Sequence, residues 1–134
     1  MITMKKKGVN KMPWDLKPDS PIYLQLMEKI QLSIISGKYK AGDKLPSVRD
    51  LAAEAAVNPN TMQKALTELE RIGLVYSQRT SGRFITEDNT MIQDAKRQLA
   101  KEVIQDYLIK MKQIGYEENE AAILLQTSIK GMQV

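Results

Sequence analysis

Cysteine and histidine are both missing from this sequence of 134 residues. Without cysteine there is no disulfide framework and no thiol chemistry, which fits a reducing compartment. Without histidine the commonest metal ligand and the usual general base at neutral pH are gone. Carboxylates alone would have to carry any catalysis, and no carboxylate pair is flanked by a pocket-like sequence. There is no nucleophile–base pair, phosphate loop or metal-ligand cluster either. An enzyme is therefore the least favoured class, and neither metal nor cofactor is expected. No apolar run is long enough to span a bilayer. The N-terminal lysines are not followed by the apolar stretch of a signal peptide. The expectation is a cytoplasmic protein with no membrane partner.

What is present is a basic surplus, +4 with a pI near 9.2, and it is unevenly spread. Lys5, Lys6, Lys7 and Lys11 crowd the N-terminus, whereas Glu117, Glu118 and Glu120 crowd a late segment. Such a surplus suits a polyanionic partner without proving one. The length allows one domain, or one small domain with an appendage. Residues 1–13 show no hydrophobic periodicity and read as a flexible basic arm, more simply a solvated tail than a reader of the minor groove. Trp14, the single tryptophan, is expected to cover one edge of the core.

A first helix is expected after Ser20 as N-cap and Pro21 at the first helical position. Its stripe is Ile22, Leu26, Ile30 and Ile34, and Gly37 stops it. Tyr39 and Leu45 should tuck inward from the link that follows. Ser47 opens a second helix, with Asp50 three residues on in the manner of a capping box. That helix is cut short at Val57-Asn58-Pro59, where Asn58 can cap a third helix running to about Ile72. Met62, Ala65, Leu66, Leu69 and Ile72 share one face of it; Asn60, Lys64, Thr67 and Arg71, flanked by Gln63, form the opposite stripe. Two helices around a short turn make a helix-turn-helix. The polar stripe is equally a solvated face or a face that enters the major groove, where amides pair with adenine edges and Lys with guanine or phosphate.

Leu74-Val75-Tyr76 and Arg83-Phe84-Ile85-Thr86 read as two strands around the tip Ser77 to Gly82. Arg79 and Arg83 with the hydroxyl residues suit contact with phosphate or the minor groove. A long helix from about Thr90 to Gly115 and a last one from about Glu117 to Ile129 follow. The whole is mostly α with a small β-wing: a winged helix-turn-helix over 14–87, then two C-terminal helices over 88–134. These helices are too small for a core of their own, so a second copy of the chain is expected to cover them. The residues assigned to that dimerisation are Ile92, Leu99, Val103, Tyr107, Met111, Leu124 and Leu125.

Two motifs carry a resemblance. One is G-x-x-x-x-G-D-x-L-P-S-x-R-x-L-A from Gly37 to Ala52; the other is N-x-x-T-x-x-x-A-L-x-x-L-x-x-x-G-L from Asn58 to Leu74. With them, Pro21 to Glu87 resembles the DNA-binding domain of GntR-type bacterial transcription regulators. Fewer than fifty residues remain after Glu87, too few for that family's large effector domains. The two short helices, and the stretch IGYEENEAAILL within them, look like its YtrA-type branch, where such helices form the dimer interface.

The resemblance implies roles position by position. Arg49 matches an arginine that reads guanine, and Ser47 a phosphate contact. Asn58, Asn60, Thr61, Gln63 and Lys64 match the groove-facing turn and recognition helix. Arg79, Thr80, Ser81 and Gly82 match the wing that reaches the minor groove. Pro59 stands where several relatives carry a basic or hydroxyl residue, and Gln63 replaces a frequent arginine; both changes blur the operator sequence. The implied function is a sequence-specific, homodimeric repressor on a double-stranded DNA operator with inverted GT and AC half-sites, often beside membrane-transporter genes. Two rivals are a sequence-blind DNA binder and a winged-helix protein-interaction module. An unknown small-molecule effector is left open; Tyr107, Met111 and Tyr116 are its candidate lining, although packing within a dimer accounts for them better.

Overall fold

The structure, a computed structural model, describes residues 14–132; the expected basic arm lies outside them. The element order is α1 (Ile22–Ile35), α2 (Val48–Ala55), α3 (Pro59–Arg71), β1 (Val75–Gln78), β2 (Gly82–Ile85), α4 (Asn89–Ile114) and α5 (Glu118–Met132). The chain divides into two units between Gln93 and Asp94.

In the first unit α1 buries Leu26, Ile30 and Ile34, one turn apart along the expected stripe. Its N-cap is Pro21, with no side-chain cap, and not Ser20 as expected. The reason is Gln25. Its amide nitrogen donates to Ser20 O and Ser20 Oγ, both at 3.0 Å, and to Lys17 O at 2.6 Å. Its oxygen accepts from Lys17 N at 2.7 Å. The lead-in, which turns at Pro18 and Asp19, is thus stitched to α1 by one side chain, and its Leu16 is buried. Trp14 is half-buried, its indole N–H donating to Glu54 Oε2 at 3.2 Å.

The next two helices are capped by the expected residues. Ser47 Oγ accepts from Asp50 N at 3.1 Å, and Asn58 Oδ1 accepts from Asn60 N at 2.7 Å. Pro59 fills the first helical position of α3, where no N–H is needed. Between them Ala56 closes α2 in the left-handed region, φ 60° and ψ 47°. Met62, Ala65, Leu66 and Leu69 are buried. Ile72 was expected with them but is 40% exposed, because α3 closes at Arg71 and the chain turns at Gly73.

The hairpin pairs Val75 with Ile85, Tyr76 with Phe84, Ser77 with Arg83 and Gln78 with Gly82. Alternation puts Val75 and Ile85 in the core, while the Tyr76 and Phe84 rings stack on the other face at 5.7 Å. The outer edge of β2 is covered by 42–45: Gly42 N donates to Ile85 O, Ile85 N to Asp43 O and Leu45 N to Arg83 O. Leu45 is buried and Tyr39 half-buried, as expected.

In the second unit, Gly115 (φ 119°) turns the chain out of α4. Gly115 N and Tyr116 N both donate to Met111 O. Glu117 N donates to Glu120 Oε1 at 2.8 Å, which caps α5. Tyr107 Oη donates to Ala121 O at 2.7 Å and ties the two helices together around the buried Ala121.

Candidate nucleic-acid interface

The cap at Ser47 fixes the direction of α2. Leu51, Ala52 and Ala55 take its buried face, which leaves Arg49 on the exposed side. No ion pair among the described residues engages Arg49 or Arg79. On α3 the buried face is set by Met62, Leu66 and Leu69, and 100° per residue then turns Asn60, Gln63, Lys64 and Thr67 to solvent. Thr61 lies at the boundary and is half-buried.

Several of these side chains already have work within the fold. Ser47 and Asn58 are caps, as given above, so their oxygens each hold a backbone N–H. The Lys64 ammonium lies 4.0 Å from the centroid of the Tyr23 ring, a cation–π contact across to α1. Arg71 pairs with Glu68 at 2.9 Å. Gln63 Nε2 donates to Thr67 Oγ1 at 3.4 Å. Tyr23 lies in the first turn of α1, next to Ile22 of its apolar stripe. Periodicity within one helix could not show which residue of another lies across it.

The wing tip is a three-residue loop, Arg79-Thr80-Ser81, between the paired Gln78 and Gly82, with Ser81 N donating to Gln78 O at 3.1 Å. Gly82 has φ 105°, which is the usual glycine solution for this loop length. A Cβ there would also stand 3.3 Å from Lys44 Cε. Arg79, Thr80, Ser81 and Gly82 are all exposed.

A cleft of about 770 Å³ lies between the wing and the start of α2. Lys44, Ser47, Val48 and Asp50 line it on one side, and Thr80, Ser81, Gly82 and Arg83 on the other. The fold therefore brings Ser47 together with Thr80, Ser81 and Gly82 of the wing. Arg49, Asn58, Asn60, Thr61, Gln63, Lys64 and Arg79 do not line this cleft. Lys44 was missed by the sequence reading; the available signal was its charge, immediately before Leu45-Pro46-Ser47.

Arg83 differs from its expected role beside Arg79. Its side chain is 18% exposed, and its Nε donates to Glu70 Oε1 at 2.8 Å. Ser77 Oγ donates to Glu70 Oε2 at 2.8 Å. Burial pushes the Glu70 carboxyl up, but the hydrogen bonds from Arg83 and Ser77 and the charge of Arg83 outweigh it. The net result holds Glu70 below the ordinary carboxylate range.

No helix among the described residues is long and apolar enough to cross a membrane. Residues 22–85 match the family model described as bacterial regulatory proteins, gntR family. The chain is 37% identical to the uncharacterized HTH-type transcriptional regulator YhcF of Bacillus subtilis, over 83% of this chain and 92% of that protein. It is 38% identical to the HTH-type transcriptional repressor YtrA of the same organism, over 77% of this chain and 80% of that protein. Its fold matches a GntR family transcriptional regulator from Listeria monocytogenes with a TM-score of 0.78 and 34% identity, covering 84% of this chain and 98% of that one.

Proposed function

The chain belongs to the gntR family of bacterial regulatory proteins and is a DNA-binding transcriptional regulator, not an enzyme; we propose that it is a homodimeric repressor of an inverted-repeat operator. The observation that carries this reading is the set of exposed groups on α2, α3 and the wing, with Ser47 and the wing tip facing each other across one cleft. In the proposed complex, α3 enters the major groove and presents Asn60, Gln63 and Lys64. Arg49 reads a guanine, and Arg79 to Gly82 reach the minor groove. Ser47 and Lys44 hold the phosphates between. Such a regulator acts in the cytoplasm, where the DNA is.

Repression is supported by the similarity to the YtrA repressor, and transporter genes are the targets that the YtrA-type resemblance suggests. The dimer reading is supported by the second unit, where Val103, Ile104, Ile114, Leu124, Leu125 and Ile129 are exposed apolar residues. Ile92 is left out of the proposed interface, since it is already 6% exposed in the single chain. Leu99, Tyr107 and Met111, all half-buried, stay within it. No effector is needed for this reading.

The test is a salt titration of binding to DNA upstream of the protein's own gene, beside scrambled DNA of equal length. A preference of ~10³-fold or more at physiological salt is expected of operator recognition. Comparable affinities with a steep salt slope would identify a sequence-blind binder instead. Arg49→Ala should lower discrimination at its base pair by roughly 1–3 kcal/mol and leave general binding largely intact. Equal loss on both duplexes would remove Arg49 from that role.

A further inference from the structure

Register and helix phase converge on one carboxylate. Ser77 and Arg83 are direct cross-strand partners, so both side chains project from the same face of the hairpin. Val75 and Ile85 occupy that face too and are buried, so Ser77 and Arg83 continue the core-facing side outward along the wing. There they meet the last turn of α3. Glu70 takes Arg83 Nε on one oxygen and Ser77 Oγ on the other, each at 2.8 Å. One residue of the recognition helix thus grips both strands of the wing.

We propose that Glu70 is the positioning residue of the wing, and that Arg83 is a strut between wing and recognition helix and not a DNA contact. The hairpin is otherwise fixed at its base and along one edge. Its base is held by Val75 and Ile85 in the core, and β2 by the backbone of 42–45. Beyond Ser77 and Arg83 come only Gln78 and Gly82, paired across the hairpin, and the exposed loop Arg79-Thr80-Ser81. The Glu70 grip is therefore the outermost side-chain tie between the wing and α3, and it sets the pitch of the tip relative to that helix. Two charge-assisted hydrogen bonds at a partly desolvated carboxylate are strong enough for this task. The ion pair with Glu70 also offsets the charge of Arg83, and leaves Arg79 as the arginine of the tip with no ion pair among the described residues.

The inference rests on the reading that the wing touches DNA, and its test separates the two. The probe is the duplex that the wild-type protein selects from a random-sequence pool. Glu70→Ala, Arg83→Ala, the double variant and Arg79→Ala are compared, after melting curves show that each is folded. Hydroxyl-radical protection reads the wing-contacted flanks, and dimethyl sulfate protection of major-groove guanines reads α3. With a strut, Glu70→Ala and Arg83→Ala weaken binding alike, by about tenfold. Both lose flank protection and keep guanine protection. The double variant is no worse than either single, and the salt slope stays at the wild-type value.

Two results overturn the proposal. One is Arg83→Ala alone lowering affinity and the salt slope, as removal of a phosphate contact does. The other is Glu70→Ala leaving hydrogen exchange of amides 76–84 unchanged in the free protein. If Arg79→Ala leaves flank protection intact, the wing-contact reading fails by itself. The exchange rates still decide the strut.

Discussion

The two units of this chain handle their apolar residues in opposite ways. In the first, Leu26, Ile30, Leu51, Met62, Leu66, Leu69, Val75 and Ile85 are fully buried, and its exposed large hydrophobics are Leu24, Leu32 and Ile72. In the second, Ala121 is the buried apolar residue among those described, while Val103, Ile104, Ile109, Ile114, Ile123, Leu124, Leu125, Ile129 and Met132 are exposed. The first unit closes its core within one chain. The second is a helical hairpin with good local chemistry: a Glu117–Glu120 cap, a glycine turn and a Tyr107 tie. Local chemistry shapes a hairpin without removing much apolar surface from water. So many exposed large apolar residues on one helical hairpin suit the proposed dimer surface. In the proposed dimer, folding of the first unit and assembly through the second are separable, and substitutions can act on one at a time.

The largest effect is expected from assembly. Leu125→Glu puts a charge into the proposed dimer surface, yet the residue is 45% exposed in the single chain. Sedimentation velocity should show monomer. Affinity for a duplex with two half-sites should drop by about 10²- to 10⁴-fold through lost avidity, while binding to a single half-site holds. A variant that remains dimeric would place the interface elsewhere. By contrast, Leu69→Ala acts on the closed core. It should cost about 2–5 kcal/mol in denaturant unfolding and leave the dimer surface untouched. A cost below 1 kcal/mol would mean that the site collapses around the lost volume.

Most of the first unit was legible in the sequence because its signals are local. The spacing of Leu26, Ile30 and Ile34, the caps at Ser47 and Asn58, Pro59 at its N1 position and Gly82 in the tip each carry their own mechanism. The misses are contacts between elements. Ser20 lost the capping role because Gln25, five residues on, engages it. Tyr23 lies under Lys64 and Arg83 is bound by Glu70, pairings fixed only once helices cross and the hairpin docks. The candidate site was legible as residue types and faces, and the family motifs supplied the roles proposed for them. Which of its cations are already paired was not legible, since that depends on packing.

A smaller effect should appear with pH. The Glu70 carboxyl is held below its ordinary value in the fold, so its contribution is fully present above the unfolded value, about 4.3 for Glu, and fades as pH falls through the folded one. Glu70→Gln removes this dependence. The melting temperatures of wild type and variant should differ most near neutrality and converge in acid. A gap that stays constant down to about pH 3 would mean that the ionised carboxylate is not what holds the wing.

The smallest effect concerns the turn of the helix-turn-helix, and it tests how tightly the closed unit is set. Ala56 sits at φ 60° and ψ 47°, where a Cβ crowds the following carbonyl at a cost of roughly 1–2 kcal/mol. Its N–H donates to Ala53 O, and Val57 N to Ala52 O, so the turn is held by bonds that do not depend on the side chain. Ala56→Gly should relieve the strain, while glycine's freer unfolded chain takes back roughly 0.4–1 kcal/mol. The net expectation is a gain of a few tenths of a kcal/mol to about 1 kcal/mol in chemical denaturation. DNA affinity should not change, because Ala56 fixes the turn from outside the recognition face. If stability rises but operator preference falls, the angle between α2 and α3 is tuned by that strain, and the first unit is less independent of its task than its closed core implies.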